Sequence, residues 1–473
     1  MPAPLNSYQQ LTDHYIYVIP TNQRGFAWRK THFDALVKDL RVTRALGNGK
    51  QHYVGPIVSD DLGGVVTDAE LKHLHKVHLE DGQQRITTLA ILSKFLSERM
   101  MSEFQNTDPE WQSAIELQKC YKAKDNESNP ILKIQNENDE FDSMIQHVLL
   151  DKVAPMLDSA PLRRMSEMKE HVSEWVDNLE RGDLNEWSAV LRNSLMFVKI
   201  DITSNINKYL AFDAINSRGV NLSVFDKIKN FCCLIVDLRG LNINPEERWI
   251  ESLQELEKAD VSQLEDRFIT DMYNVAHGEN IQEKKIHSEM VERYGALMFG
   301  ADTDLSDELE DFIENWKKFA ESFAFVTTGN RDQYYPGGAN ERCNATAKKW
   351  MNKFDNLDYR DTCRALLATT HWKFSRNNFA KVVEFCEKYA FRVYGVINKP
   401  TDTNRNRLIK ASNAVYKGSD IEYVKSVICY LCHHPQHGAP MKNVISRLGD
   451  GQPKYPFVSD GWDRCYYLLY EYD

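Results

Sequence analysis

Residues 79–89 read Leu79-Glu80-Asp81-Gly82-Gln83-Gln84-Arg85-Ile86-Thr87-Thr88-Leu89, and the spacing of apolar residues changes within them. Up to the start of this stretch, Val77-His78-Leu79 alternates apolar and polar side chains, as a half-buried strand does. From Ile86 onward, apolar residues recur at helical spacing, at Ile86, Leu89, Ala90, Leu92, Phe95 and Leu96. The stretch therefore predicts a strand-to-helix junction.

This junction carries groups that bind anions. The first N–H groups of a helix have no partner within the helix, and Gly82 has no Cβ to keep a ligand away from them. Arg85 adds a planar fork of donors that suits a phosphate. Further donors are the amides of Gln83 and Gln84 and the hydroxyls of Thr87 and Thr88.

Asp81 refines the expected ligand. An acid beside a phosphate site more often binds a metal ion, orients a water or contacts a ribose hydroxyl, so Asp81 favours a nucleotide over a simple anion. We expect Asp81 to bind a Mg²⁺ ion or to orient a water beside the phosphates, and Gln84 is a second candidate for orienting the water. For this stretch alone, a helix start capped by an acid, with Arg85 on the surface, is the plainer alternative.

A second Gln-Arg pair lies near the N-terminus. The run Tyr15 to Ile19 alternates like a strand and ends at Pro20, and Gln23-Arg24-Gly25 follows. Thr31 is the expected N-cap of the next helix, whose apolar face consists of Phe33, Leu36, Val37 and Leu40. An ordinary surface loop remains an alternative for this pair.

A third polar segment, Asn216-Ser217-Arg218-Gly219, has turn chemistry and precedes a helical pattern. Asn216 and Arg218 suit a base, ribose or phosphate, although a turn followed by a helix cap explains them equally well. We hypothesise that Arg24, Arg85 and Arg218 converge on one polyphosphate. No Gly-x-x-x-x-Gly-Lys-Ser/Thr segment occurs, so the chain is not a P-loop enzyme.

The remaining pattern predicts two domains. Residues 53–58 read as a strand with a bulge at Gly55-Pro56, and Gly63-Gly64 reads as a turn in the connection that follows. We expect residues 1–235 to form one domain with a helical insertion at about 100–195, and residues 197–202 to join its sheet. Glycine and strand signals become rare afterwards, so residues 236–473 are expected to form an all-helical domain.

Composition limits the class of protein. The 473 residues include 58 basic and 69 acidic side chains, a net charge of −11, so any nucleic-acid contact must be a local patch or belong to another domain. The most basic local cluster is Arg405-Asn406-Arg407 with Lys410. It could contact phosphates, but the solvent-exposed face of a helix explains it equally well. Nine scattered cysteines indicate reduced thiols. With neither a membrane-length apolar run nor a signal peptide, we expect a cytoplasmic protein without membrane partners.

Several segments together resemble a known family. They are Ile19-Pro20 with Gln23-Arg24-Gly25 and Trp28, then Tyr53 with Gly55 and Ile57, then Asp81 to Leu89, and finally Ala211 to Asn230. This set is similar to the N-terminal domain of GmrSD-type and SspE-type restriction proteins. The resemblance implies an α+β protein whose N-terminal domain has a ParB/sulfiredoxin-like fold with a mixed sheet.

The resemblance also implies a function in antiphage defence. Such domains bind a nucleoside triphosphate, GTP or ATP, and several members hydrolyse it and couple that state to recognition or cutting of modified phage DNA. By this resemblance the nucleotide would contact Gln23, Arg24, Gly82, Gln83, Arg85, Thr87, Thr88, Asn216 and Arg218, and hydrolysis would depend on Asp81, Gln84 and Arg85.

Three readings of the activity stay open at this point. The chain is a nucleoside triphosphate hydrolase within a restriction system, or a non-enzymatic sensor that regulates a partner nuclease, or a DNA nickase in its own right. No nuclease signature stands out, so cutting is assigned to a missing C-terminal nuclease domain or to a partner subunit. A homodimer is one of the assemblies left open.

Overall fold

The computed structural model describes residues 5–21, 23–47, 50–157, 159–202, 223–329, 331, 345–356, 360–436, 438–440 and 442–443. The chain divides into two compact units, residues 1–222 and 223–473. The helix Val224–Arg239 buries Phe225 and Ile228 among the helices that follow it, so by its contacts it belongs to the second unit, whereas the expected boundary followed residue 235. Asn216 and Arg218 lie outside the described residues.

The first unit is built on a six-stranded mixed sheet with the strand order β1-β8-β3-β4-β2-β7. Strand β2 is parallel to β4 and β7, β3 is parallel to β8, and the β3–β4 and β1–β8 pairs are antiparallel. The predicted α+β class with a mixed sheet is thereby confirmed. The strands of this sheet are β1 (Leu5–Ser7), β2 (Tyr15–Ile19), β3 (His52–Thr67), β4 (His73–Asp81), β7 (Ile134–Asn136) and β8 (Leu195–Ile202).

In the described part of this unit, seven α-helices accompany the sheet, and β5 (Lys122–Lys124) and β6 (Pro130–Leu132) form a separate two-stranded sheet. The helices are α1 (Tyr8–His14), α2 (Lys30–Ala45), α3 (Gln83–Glu103), α4 (Pro109–Gln118), α5 (Asp139–Leu150), α6 (Ala160–Asp177) and α7 (Leu184–Ala189). Helix α3 is central: its Ile86, Leu89, Leu92 and Leu96 are buried in the core of this unit. The strand-to-helix junction predicted at Asp81-Gly82 is therefore confirmed.

Two local predictions near α2 and β3 need correction. Helix α2 buries the predicted apolar face, but its N-cap is Arg29 rather than Thr31, because the ring of His32 accepts the Arg29 N–H (3.1 Å) and closes the helix start there. The predicted turn at Gly63-Gly64 is a register shift within β3. The chain reverses at residues 68–72, where the Asp68 carboxylate accepts N–H groups of the turn.

Every regular element in the described part of the second unit is helical, as predicted. Its core holds many aromatic side chains, among them Trp316, Phe319, Phe323 and Tyr389. The α-helices are α8 (Val224–Arg239), α9 (Pro245–Lys258), α10 (Glu265–His277), α11 (Ile286–Tyr294), α12 (Thr303–Glu314), α13 (Trp316–Thr327), α14 (Ala345–Asn356), α15 (Arg360–Lys373), α16 (Arg376–Ala390), α17 (Arg405–Tyr416) and α18 (Ile421–His433). None of the helices in the described ranges combines the length and apolar character needed to cross a membrane.

Candidate functional site

Three parallel strands of the first unit end at one edge of the sheet. Strands β2, β4 and β7 run in the same direction and end at Ile19, Asp81 and Asn136. Ligands of open sheets bind beyond the carboxyl ends of parallel strands, where the connecting segments meet. The segments that leave this edge are the loop formed by residues 20–21 and 23–29, the junction into α3, and Glu137.

Gly82 forms the N-terminus of α3 in a left-handed conformation (φ +98°). A Cβ at this position would lie 2.4 Å from Ile57 Cδ1, so the close packing of β3 also requires glycine here. The N-cap residue Gly82 has no side chain to cap this 21-residue helix, and the first turn carries no acid. The N-cap residue therefore does not neutralise the positive end of the helix dipole or its first N–H groups.

Gln84 joins this helix start to the loop after β2. Its Oε1 accepts the N–H groups of Ala27 (2.8 Å) and Trp28 (3.3 Å), and its Nε2 donates to the Gly25 carbonyl (3.2 Å). The buried neighbour Gln83 donates from Nε2 to the Arg24 carbonyl (3.3 Å). Both glutamines therefore fix the backbone of the first Gln-Arg segment, a positioning role that the sequence did not reveal. The catalytic role of Gln84 stays a prediction.

The Arg85 side chain is mostly buried, with 11% of it exposed. Its Nη1 donates to the Val54 carbonyl (3.2 Å), and its Nη2 lies 3.5 Å from Asp81 Oδ2. Burial lowers the pKa of Arg85, and the nearby Asp81 carboxylate opposes that shift. Since arginine stays protonated in proteins, the site keeps a buried positive charge beside the open helix start.

The other predicted residues of α3 differ in their access to a ligand. Asp81 Oδ1 accepts the Gly82 N–H (2.7 Å), so this carboxylate lies at the mouth of the junction. Thr87 and Thr88 are buried, and the Thr88 hydroxyl donates to the Gln84 carbonyl (2.8 Å). The Thr88 hydroxyl is thus used inside the helix, while nucleotide contacts by both threonines stay predictions.

Two sets of hydrogen bonds that the sequence did not predict, made by Glu137 and by Glu80, hold the other side of the loop after β2. Glu137 Oε2 accepts the Thr21 N–H (3.0 Å), and its Oε1 lies 2.8 Å from His78 Nε2. Although partial burial raises it, the pKa of Glu137 lies below its ordinary value because these hydrogen bonds favour the carboxylate. Gln23 donates from Nε2 to Glu80 Oε2 (3.3 Å). The strand alternation of β4, which places residues 78 and 80 on one face, was the available signal.

The first two Gln-Arg segments therefore meet in space, as the sequence hypothesis requires. Gln23 contacts β4, and the Arg24 carbonyl contacts Gln83, two residues before Arg85. The convergence of the three guanidinium groups on one ligand stays a prediction, because Arg218, like Asn216, lies outside the described residues.

The donor set around Asp81 bears on the expected Mg²⁺. Within the described ranges no group of three His, Cys, Asp or Glu side chains is placed to hold a metal ion. Mg²⁺ commonly takes one or two protein carboxylates and completes its shell with water and phosphate oxygens. A single carboxylate at Asp81 is compatible with a Mg²⁺ ion whose shell is completed by water and phosphate oxygens, and metal binding by Asp81 stays a prediction.

Fold and site define an α+β domain with a polar site where parallel strands end. Residues 5–233 match the family described as the GmrSD restriction endonuclease, N-terminal domain, and this part of the chain belongs to that family. This match supports a GmrSD-type defence protein related to restriction endonucleases, and it covers just under half of the chain. No curated protein is similar enough to be matched to it.

Proposed function

We propose that the chain is the nucleotide-binding and nucleotide-hydrolysing module of a cytoplasmic, modification-dependent DNA restriction system. One observation carries the proposal: the amides of Gln83 and Gln84 hold the Arg24 segment against an uncapped helix start that also presents Arg85. A helix start of this kind, with a buried arginine beside it, suits phosphate groups. The family match supports a function in restriction.

In this proposal the triphosphate lies across the start of α3. Its phosphate oxygens accept hydrogen bonds from the first-turn N–H groups, and Arg85 neutralises their charge from the side of β3. Arg24 approaches from the loop that the glutamines hold in place. The nucleotide is GTP or ATP. Gln23 and Glu80, at the outer edge of the loop, are suited to contact its base or ribose.

Hydrolysis needs charge neutralisation and a positioned water more than covalent chemistry from the protein. In this proposal arginine and helix N–H groups supply the neutralisation, and Asp81 orients the water. A bound Mg²⁺ would neutralise further phosphate charge and would be held by Asp81 and the phosphates. Slow turnover suffices, because the nucleotide state then acts as a switch for a nuclease on a partner subunit or a further domain, with modified phage DNA as the target.

Titration calorimetry with GTP and ATP in Mg²⁺ tests the binding step on the full chain. Arg85→Ala is expected to weaken the preferred nucleotide by about 10- to 100-fold, the loss of one or two charged hydrogen bonds. Arg85→Lys keeps the charge without the planar fork and should fall between. Arg99→Ala serves as the matched control, because Arg99 lies on the same helix and pairs with Glu103 (2.9 Å) outside the site.

Phosphate release then separates hydrolase from sensor. Release that is faster with modified DNA than without it supports the hydrolase, and binding without release supports a sensor that regulates a partner nuclease. If neither GTP nor ATP binds the folded chain, the proposed function is wrong. Because Arg85 also contacts Val54, Arg24→Ala is measured in parallel, and thermal unfolding shows whether each variant is folded.

A further inference from the structure

Positive charge is concentrated in one part of an otherwise acidic chain. Residues 391–443 carry eight Lys or Arg side chains and three Asp or Glu side chains, whereas the whole chain has a net charge of −11. An acidic protein that contacts nucleic acid must do so through a local basic region of this kind. This region contains α17 and α18, which pack on each other in the second unit.

Two exposed cations on α17 are not neutralised by carboxylates. Arg407 and Lys410 are three residues apart, hence on one face of the helix, and no acidic side chain in the described ranges pairs with either. Their neighbours differ: Arg405 Nη2 lies 3.9 Å from Asp271, and Lys425 Nζ lies 3.4 Å from Glu422. Arg407 and Lys410 are therefore two cations of this region that remain available to an anion.

Helix α18, which packs on α17, exposes two tyrosine rings. Tyr423 is 40% exposed and Tyr430 is 51% exposed, and seven residues separate them, so both rings lie on one face about 10 Å apart along the helix. In contrast, Tyr273, Tyr294 and Tyr389 of the same unit are fully buried. The exposed rings are thus a surface feature and not part of the core.

Arg407 connects the basic face with the aromatic face. Its guanidinium carbon lies 5.3 Å from the centre of the Tyr430 ring, within the range of a cation–π contact. A cation held over an exposed ring can contact a phosphate while the ring stacks on the neighbouring base. This combination of free cations and sequence-tolerant stacking is how proteins bind single-stranded nucleic acid.

We infer that Arg407, Lys410, Tyr423 and Tyr430 form a binding surface for single-stranded DNA, the α17–α18 surface. The phosphates contact Arg407 and Lys410, and unstacked bases stack on the two tyrosines. A duplex hides the faces of its bases, so the tyrosines would contribute nothing to binding it. The inference rests on the proposed function only for the choice of DNA as the nucleic acid.

Fluorescence anisotropy with a labelled 20-nucleotide oligo(dT), measured on the full chain at several salt concentrations, tests this surface. The Arg407→Ala, Lys410→Ala double variant is expected to weaken binding about tenfold or more and to reduce the slope of log affinity against log salt by about 1.4, two phosphate contacts. Tyr430→Ala should weaken binding about tenfold, whereas Tyr430→Phe should bind normally because stacking needs only the ring.

The controls distinguish a DNA surface from general positive charge. Lys258→Ala with Lys388→Ala removes two exposed lysines elsewhere in the same unit and should leave binding unchanged. Polyglutamate, an anion without bases, should not displace the oligonucleotide. Unchanged binding by the double variant, displacement by polyglutamate, or a duplex of the same length binding as tightly would each overturn the inference. Nucleotide affinity is expected to be normal in these variants, so a failure here is distinguishable from a failure of the proposed function.

Discussion

Gly55 lies directly against the guanidinium of Arg85: a Cβ built on Gly55 would be 1.8 Å from Arg85 Nη1. Gly55 has φ +137° and sits at a register shift between β3 and β8. The bulge in β3 thus creates the space in which Arg85 reaches the Val54 carbonyl. The missing side chain of Gly55 in β3 thus leaves room for the Arg85 guanidinium of α3, and this packing fixes the position of the buried positive charge.

Gly55→Ala is therefore expected to displace Arg85 and to destabilise the domain by about 3 kcal/mol, the sum of backbone strain and a steric clash. Gly63→Ala is the matched control, since Gly63 lies in the same strand with φ +70° and has no neighbour within 4 Å. It should cost only the backbone strain, about 1 kcal/mol. Chemical denaturation measures both variants, and equal losses would show that Arg85 does not fill the space at Gly55.

Gly82 and Ile57 should be energetically coupled. Gly82→Ala brings a Cβ within 2.4 Å of Ile57 Cδ1, whereas the next nearest atom of that side chain is 3.6 Å away. Ile57→Val removes Cδ1 and alone costs about 1 kcal/mol. The double variant should be more stable than the sum of the single losses by about 1 kcal/mol, because only the backbone strain remains. Additive losses in a double-mutant cycle would contradict this packing.

Gln84→Ala should loosen the loop of residues 24–28. The substitution removes three hydrogen bonds to Gly25, Ala27 and Trp28, so we expect a loss of about 2 kcal/mol in unfolding free energy and weaker nucleotide binding. Hydrogen exchange of the Ala27 and Trp28 amides should become faster. Gln112→Ala, which removes a single exposed contact with Glu116, is the control. Unchanged exchange in Gln84→Ala would show that another group holds the loop.

Glu387 should make the second unit less stable as the pH rises from acid to neutral. Burial raises the pKa of Glu387 from 4.5 to about 7, although Lys353 and Lys388 oppose the shift, and Oε1 has no hydrogen-bond partner in the structure as far as it is described. Between these two values the folded chain keeps a proton that the unfolded chain has lost. The unfolding free energy consequently falls as the pH rises from about 4.5 to about 7.

Glu387→Gln replaces the carboxyl group with a neutral amide that does not ionise. The variant should therefore not show this fall in unfolding free energy with rising pH. The variant is expected to gain on the order of 2 kcal/mol over the natural chain at pH 8 and little at pH 5, as measured by denaturation at both pH values. Glu384→Gln on the same helix removes the exposed pair with Lys388 and should change stability by less than about 1 kcal/mol at either pH. A gain for Glu387→Gln that is the same at pH 5 and pH 8 would contradict the assignment.

The fold class and the place of the site were accessible from sequence for local reasons. The change from alternating to helical spacing at Asp81-Gly82 marks the start of α3, and Gly55-Pro56 marks the bulge, because both signals depend on neighbouring residues only. The turn predicted at Gly63-Gly64 was wrong because the local glycine signal does not distinguish a turn from a bulge. A glycine with positive φ serves a bulge as well as a turn, and the true reversal at residues 68–72 includes Leu71 with φ +62°.

The contacts that assemble the site are long-range, and the sequence could not show them. Gln84 bonds to residues 56 to 59 positions away, and Glu137 reaches Thr21 across 116 positions. The glutamines looked like ligand groups because an amide can serve a phosphate or a backbone equally well. The parallel pairing of β2 with β4 and β7 brings three strand ends to one edge of the sheet. This arrangement places the loop after β2 within reach of both glutamines, and the sequence does not show it.

The structure of the full chain with a non-hydrolysable GTP or ATP analogue and Mg²⁺, determined by crystallography, tests the central claim most directly. We expect the phosphates within hydrogen-bonding distance of the Gln83 and Gln84 N–H groups and of the Arg85 and Arg24 guanidinium groups, with Mg²⁺ near Asp81. A nucleotide bound elsewhere, with the start of α3 unoccupied, would contradict the account.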